Sequence, residues 1–174
     1  MNMEVKIVDD HGMELPAGKV GEIIARGDEI ALGYWKKPEE TSQTFKNGWL
    51  YTGDLGYRDE DAYVFVVSRK KDIIISGGEN ISSLEVEDTI SQHPAVAEVA
   101  VIGVPDELWG EAVKALIVLK PAYQSRVTAE EIISFCRERL APFKCPKSVN
   151  FLKDLPKNPA GKIMKGELKQ QFRS

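Results

Sequence analysis

The spacing of apolar and polar positions changes character near Gly78. Before that point apolar residues come in short alternating runs. EVKIVDD near the N-terminus alternates as a half-buried strand does, and DDHG follows as a turn. VGEIIARG (20–27) and EIALGYW (29–35) read as further strands. PEETSQTF (38–45) opens on a proline and carries acidic residues in its first turn, which predicts a short helix. WLYTGDLGYRDEDAYVFVVSRKKDIIIS (49–76) reads as strand, polar turn, strand, break and strand.

After Gly78 longer periods take over. Ser82-x-x-Glu85 is a capping-box pattern and predicts a helix to about His93. VAEVAVIGV (96–104) and AVKALIVLK (112–120) read as two strands. Thr128-x-x-Glu131 is a second capping box, opening a helix through about Leu140. SVNFL (148–152) reads as a strand and KGELKQQF (165–172) as a closing helix. The fold class expected is α+β: a β-rich subdomain over 1–70, then a compact α+β domain over 71–174 with its helices on one face of a small sheet.

Composition adds little to this outline. The 174 residues are 43% apolar and 29% charged, as in ordinary soluble proteins. No apolar run approaches a membrane span, and MNMEVKIVDD lacks the apolar stretch of a secretory signal. Two lone cysteines, Cys136 and Cys145, suggest a reducing, cytoplasmic setting. His11 and His93 are far apart, and no cluster has metal-ligand spacing, so no metal site is expected.

Charge is more informative. The net −4 conceals an acidic front, with 7 Lys/Arg against 13 Asp/Glu in residues 1–68, and a basic end, with 10 against 3 in residues 137–174. Such an end either attracts an anionic ligand or forms a solvated lysine-rich face. Its basic residues are not interleaved with aromatics and the pI is near 5.3, so nucleic acid is not an expected partner.

Four short stretches carry candidate chemistry. In YTGDLG (51–56), Asp54 can accept hydrogen bonds from vicinal hydroxyls or satisfy its own backbone in an Asx turn. Arg69, ending VFVVSR, offers fixed donors to a ribose or phosphate, or pairs with a nearby acid. The paired glycines of SGGEN (76–80) permit close backbone approach or positive φ, or simply turn the chain. LPKNPAGKIMK (155–165) presents Lys157 and Lys162 on a loop framed by prolines and glycine. It is not a phosphate-binding P-loop, because Ile163 follows the Gly-Lys pair.

In this order, and with VGEIIARGDEIALGYWKKPEETSQTF before them and GVPDELWGE and LAPFKCPK between, these stretches resemble the C-terminal third of the adenylate-forming superfamily. That superfamily includes acyl-CoA synthetases, firefly luciferase-like enzymes and the adenylation domains of peptide synthetases. The resemblance covers essentially all 174 residues, and GGENISSLEVE and PDELWGE look most like fatty-acyl-CoA synthetases.

The resemblance implies a distorted barrel-like subdomain over 1–70, then a mobile C-terminal domain. It implies that Asp54 and Arg69 bind the ribose of ATP, with Val66 packed near the nucleotide. Lys71 falls at the hinge, Gly77 and Gly78 at the path of the pantetheine arm, and Lys162 at the lysine that stabilises adenylation. The implied reaction joins a carboxylic acid, here a fatty acid, to AMP with loss of pyrophosphate, then transfers the acyl group to coenzyme A. ATP, Mg2+ and coenzyme A are the implied cofactors. No motif in residues 1–50 matches the family's phosphate loop or its adenine and magnesium motif. Those parts, the magnesium ligands and the acyl pocket are expected upstream, in a missing N-terminal domain. The fragment alone is expected to be inactive, with exposed apolar surface that favours self-association. Lys144 and Lys147 are charge-based candidates for the CoA 3′-phosphate. The competing reading is a non-catalytic, stand-alone module that binds nucleotide, coenzyme A or a partner chain.

Overall fold

The computed structural model describes residues 3–173, and their packing divides them into two units that adjoin at the Lys71–Asp72 bond. The first unit contains β1 (Glu4–Val8), β2 (Gly21–Arg26), α1 (Pro38–Thr44), β3 (Phe45–Lys46), β4 (Trp49–Arg58) and β5 (Val64–Arg69). All pairings are antiparallel. Strand β4 is long enough to serve three partners. It meets β2 on one edge, with β3 at its start and β5 along its end. The sheet curls into a half-barrel around Ile7, Val8, Ile23, Ile24 and Ala25.

EIALGYW, expected as a strand, forms turns and bends instead. Both edges of β4 are already taken, and Leu32 and Trp35 are left exposed. The Tyr34 N–H donates to Thr41 Oγ1 at 2.9 Å, tying this stretch to α1.

A 3-10 turn, Lys70–Asp72, leads into the second unit. There follow β6 (Ile73–Ser76), β7 (Glu79–Ser82), α2 (Ser83–Ser91), β8 (Val96–Asp106), β9 (Gly110–Leu119), α3 (Ala129–Arg137), β10 (Ser148–Phe151) and α4 (Lys165–Gln171). Strand β9 is central. It pairs antiparallel with β8 and β6 and parallel with β10.

Helices cover both faces of this sheet, not one as expected. Val86, Ile90, Ile132 and Cys136 of α2 and α3 pack with Val113, Ala115 and Ile117. Leu168 of α4 packs with Leu155, Ala100, Ile102 and Leu116 on the other side. The continuous apolar run of β9 explains this, because a strand buried on both faces loses its polar alternation.

The two helix caps differ. Thr128 and Glu131 form the complete reciprocal box. Ser82 accepts from the Glu85 N–H, but the Glu85 carboxylate turns away to Lys144, 2.7 Å distant. Both cysteines are free and buried. Burial pushes the Cys136 thiol up to about 11. Among the described residues no helix is long and apolar enough to cross a membrane.

Candidate functional site

Thr-Gly-Asp interrupts the β2–β4 ladder. Glu22 pairs with Leu55 and Ile24 with Tyr51, so β4 carries two extra residues across Thr52–Asp54. Such a bulge re-aims side chains. Gly53 takes φ +71°, which a residue with a side chain reaches only at a cost. Thr52 Oγ1 donates to the Ile23 carbonyl at 2.7 Å and accepts from the Asp54 N–H at 3.1 Å, replacing lost ladder bonds. Asp54 then lies opposite Arg69 on β5, with Arg69 Nε 2.8 Å from its Oδ1. Asp54 and Arg69 remain 29% and 43% exposed, so the pair is accessible.

Glu22 braces this arrangement from beneath. One of its oxygens accepts from the Gly53 N–H at 3.2 Å, and the other lies 3.1 Å from Lys70 Nζ. Lys70 also reaches Asp10 at 2.8 Å, and this bond, with Glu22 adding to it, raises the lysine above its ordinary range. Lys71, next along, is exposed in the turn between the units. Val66 lies earlier on β5, opposite Gly56, and is 61% exposed.

In the second unit Gly77 and Gly78 are the two-residue turn of the β6–β7 hairpin, with Ser76 paired to Glu79. Their φ values of +59° and +85° suit the tight turn that matches strand twist. The Gly77 N–H donates to the Trp109 carbonyl at 2.9 Å, and a Cβ on Gly77 would meet the Trp109 ring at 2.6 Å. A Cβ on Gly78 would meet nothing. Trp109 sits in the β8–β9 turn, whose amides at Leu108 and Trp109 donate to Asp106 Oδ1. Turn chemistry therefore accounts for much of PDELWG.

Lys162 lies on a separate loop. Asn158 organises it: its Oδ1 accepts from the Ala160 and Lys162 N–H groups at 3.0 and 2.9 Å. Its own N–H donates to the Lys162 carbonyl at 2.9 Å. Several neighbouring lysines of the basic end are occupied. Lys144 pairs with Glu85, Lys157 with Glu98 and Lys165 with Glu87, while Lys147 stands over the Trp109 ring. The Lys162 ammonium has no ion-pair partner among the described residues and is exposed. Its backbone is thus fixed and its charge is available.

The structure brings Asp54 and Arg69 together, while Gly77–Gly78 and Lys162 occupy different loops of the second unit. Sequence reasoning missed Glu22, Trp109, Glu87 and Lys165. Glu87 is largely shielded beside Lys165, and loss of hydration raises its carboxyl above the ordinary range although Lys165 opposes the shift. The described residues hold no group of three or more His, Cys, Asp or Glu able to bind a metal ion.

Residues 85–162 match the family described as AMP-binding enzyme C-terminal domain. The chain is 44% identical over 170 residues to a long-chain-fatty-acid–CoA ligase of Escherichia coli O6:H1, covering 98% of this chain and 30% of the relative. It is 48% identical over 151 residues to that of Bacillus subtilis, covering 87% and 27%. Among solved structures it resembles o-succinylbenzoate CoA synthetase from Bacillus subtilis in complex with its acyl-adenylate intermediate. The TM-score there is 0.88 at 40% identity, over 96% of this chain and 34% of that one. The chain thus spans about 30% of the length of the curated relatives it matches. With matching sequence, fold and family model, it belongs to the adenylate-forming superfamily and represents the C-terminal part of that architecture.

Proposed function

We propose that this chain is the C-terminal portion of an ATP-dependent acyl-CoA synthetase of the fatty-acid–CoA ligase type. Its partner is an N-terminal domain that supplies the phosphate loop, the acyl pocket and any magnesium ligands. The first unit is then the last β subdomain of the ATP-binding region, and the second is the mobile domain. The observation that carries this reading is the state of Lys162, a free ammonium on a loop whose backbone is braced by Asn158.

Adenylation attacks the α-phosphate of ATP with a carboxylate and expels pyrophosphate. Negative charge on the phosphoryl and carboxylate oxygens needs a compact cation at that moment, and Lys162 is the residue assigned to supply it in this reading. Asp54 offers acceptors to the ribose hydroxyls while Arg69 holds its orientation and adds donors of its own. The exposed Val66 gives the nucleotide an apolar neighbour. In the second step the coenzyme A thiol attacks the adenylate and AMP leaves. Lys162 has no role there. Rotation at Lys71 withdraws it and brings in the Gly77–Gly78 turn, whose lack of side chains keeps the pantetheine path open. Lys144, tied to Glu85, is a poorer candidate for the CoA 3′-phosphate than Lys147. Two free, buried thiols suit work in the cytoplasm.

The test is Lys162→Ala in the complete protein. Adenylate formation, read by pyrophosphate release, is expected to fall by about 100- to 1,000-fold. Thioester formation from supplied acyl-adenylate should hold its rate. Equal losses in the two steps would contradict the assignment. Side-by-side assay of fatty, aromatic and dicarboxylic acids tests the proposed substrate class, and a preference for either of the latter would remove it.

A further inference from the structure

The Lys162 loop is tethered at both ends, and the tethers differ in kind. At its entry Lys157 Nζ lies 2.6 Å from Glu98 Oε1, with both side chains more than a third exposed. At its exit Lys165 Nζ lies 2.7 Å from Glu87 Oε1, with exposures of only 18% and 14%. Lys165 also donates to Ser83 Oγ at 2.9 Å, and Glu87 Oε1 accepts from the Val101 N–H at 2.6 Å. One carboxylate therefore joins α2, β8 and the start of α4.

Exposed pairs hold a loop weakly, because water competes and side-chain freedom is lost. A largely shielded pair is different: removing one partner leaves the other charge with little water around it. Only Ile163 and Met164 separate Lys165 from Lys162, and both are fixed. Ile163 bridges Lys157, and the Met164 N–H donates to the Pro156 carbonyl at 2.8 Å. Little slack lies between this shielded anchor and the Lys162 ammonium.

We propose that Glu87 and Lys165 are positioning residues for Lys162: their largely shielded pair fixes where the loop leaves the domain surface and so where the ammonium is delivered. The proposal rests on the reading of Lys162 as the adenylation lysine, and its test separates the two.

In the complete protein, Glu87→Gln and Lys165→Met are expected to slow adenylate formation by about 10- to 100-fold through misplacement alone. Thioester formation from supplied adenylate is expected to persist. Lys165→Arg should recover most of the first step, and Glu98→Gln should change neither. Hydrogen exchange at the Ala160 and Lys162 amides should quicken by about tenfold in the first two variants, with α3 amides unaltered. If Glu87→Gln fails to fold, Glu87→Asp keeps the charge, shortens its reach and is expected to show the same split. Unchanged exchange, or equal slowing of both steps, overturns the proposal. Quickened exchange with an unaltered first step instead removes the adenylation role of Lys162 and leaves its positioning by Glu87 and Lys165 intact.

Discussion

Asp54 and Arg69 face one another across β4 and β5, joined by a 2.8 Å ion pair beside the Thr52–Asp54 bulge. The bulge costs the sheet some regularity, and Thr52 and Glu22 recover the lost hydrogen bonds. Such a local departure from the ladder presents a carboxylate and a guanidinium side by side at an accessible position.

Replacing Asp54 by alanine should therefore act on nucleotide binding more than on folding. Hydrogen bonds to a charged group contribute roughly 1.5–3 kcal/mol, so the KM for ATP is expected to rise by about 10- to 100-fold in the complete protein. The exposed ion pair adds at most about 1 kcal/mol to stability, so the melting temperature should hardly move. A large drop in Tm with an unchanged KM would make Asp54 a turn residue only.

Lys71→Pro tests the hinge. Lys70 is clasped by Asp10 and Glu22 within the first unit, and the proposed pivot is the residue that follows it. Proline fixes φ at that next position. At least one of the two half-reactions is expected to slow, with the melting of each unit preserved. Unaltered rates for both steps would place the pivot elsewhere.

Gly77 and Gly78 share positive φ but not surroundings. Alanine in the left-handed region costs about 1–2 kcal/mol at either position. Gly77→Ala also drives a methyl group into the Trp109 ring, whereas Gly78→Ala meets open space. Chemical denaturation should rank Gly77→Ala as clearly the less stable. Adding Trp109→Ala should narrow the gap, and a gap that persists in that background would show that the ring is not its cause.

The Cys136 thiol, raised to about 11 by burial, predicts a fall in stability at high pH. Below its ordinary value of 9.0 the thiol is protonated in both the folded and the unfolded chain, and it contributes no pH dependence. Between there and about 11 the unfolded chain loses the proton and the folded one keeps it, so stability declines as pH rises. The decline over that window is roughly 2–3 kcal/mol from this group. Denaturation at stepped pH should show this slope in the native sequence and a flatter one in Cys136→Ala.

Much of the fold was legible because it is local. The Thr128 box, the apolar run of β9 and the proline that opens α1 each announce an element within a few residues. Edges and partners were not legible. EIALGYW has the look of a strand, but nothing in its own spacing reports that β4 has no edge to spare. The face taken by α4 was hidden for a similar reason, since β9 is apolar on both sides. Family resemblance brought out Asp54, Arg69 and Lys162, whereas their supports escaped it. Glu22 and Lys70 meet across 48 positions, and Lys165 reaches Ser83 across 82. In a local window such residues look like ordinary solvated charges.

The long β8–β9 ladder has a further consequence for how the second unit assembles. Its ten register pairs zip from a three-residue connection, so each new pair closes a loop hardly longer than the last. Strand β10 joins β9 in parallel only after a crossover of 28 residues that includes α3. The entropy of that closure has to be met before any of its contacts form. The β8–β9 hairpin is therefore the element of the second unit expected to form before β10 is joined to it.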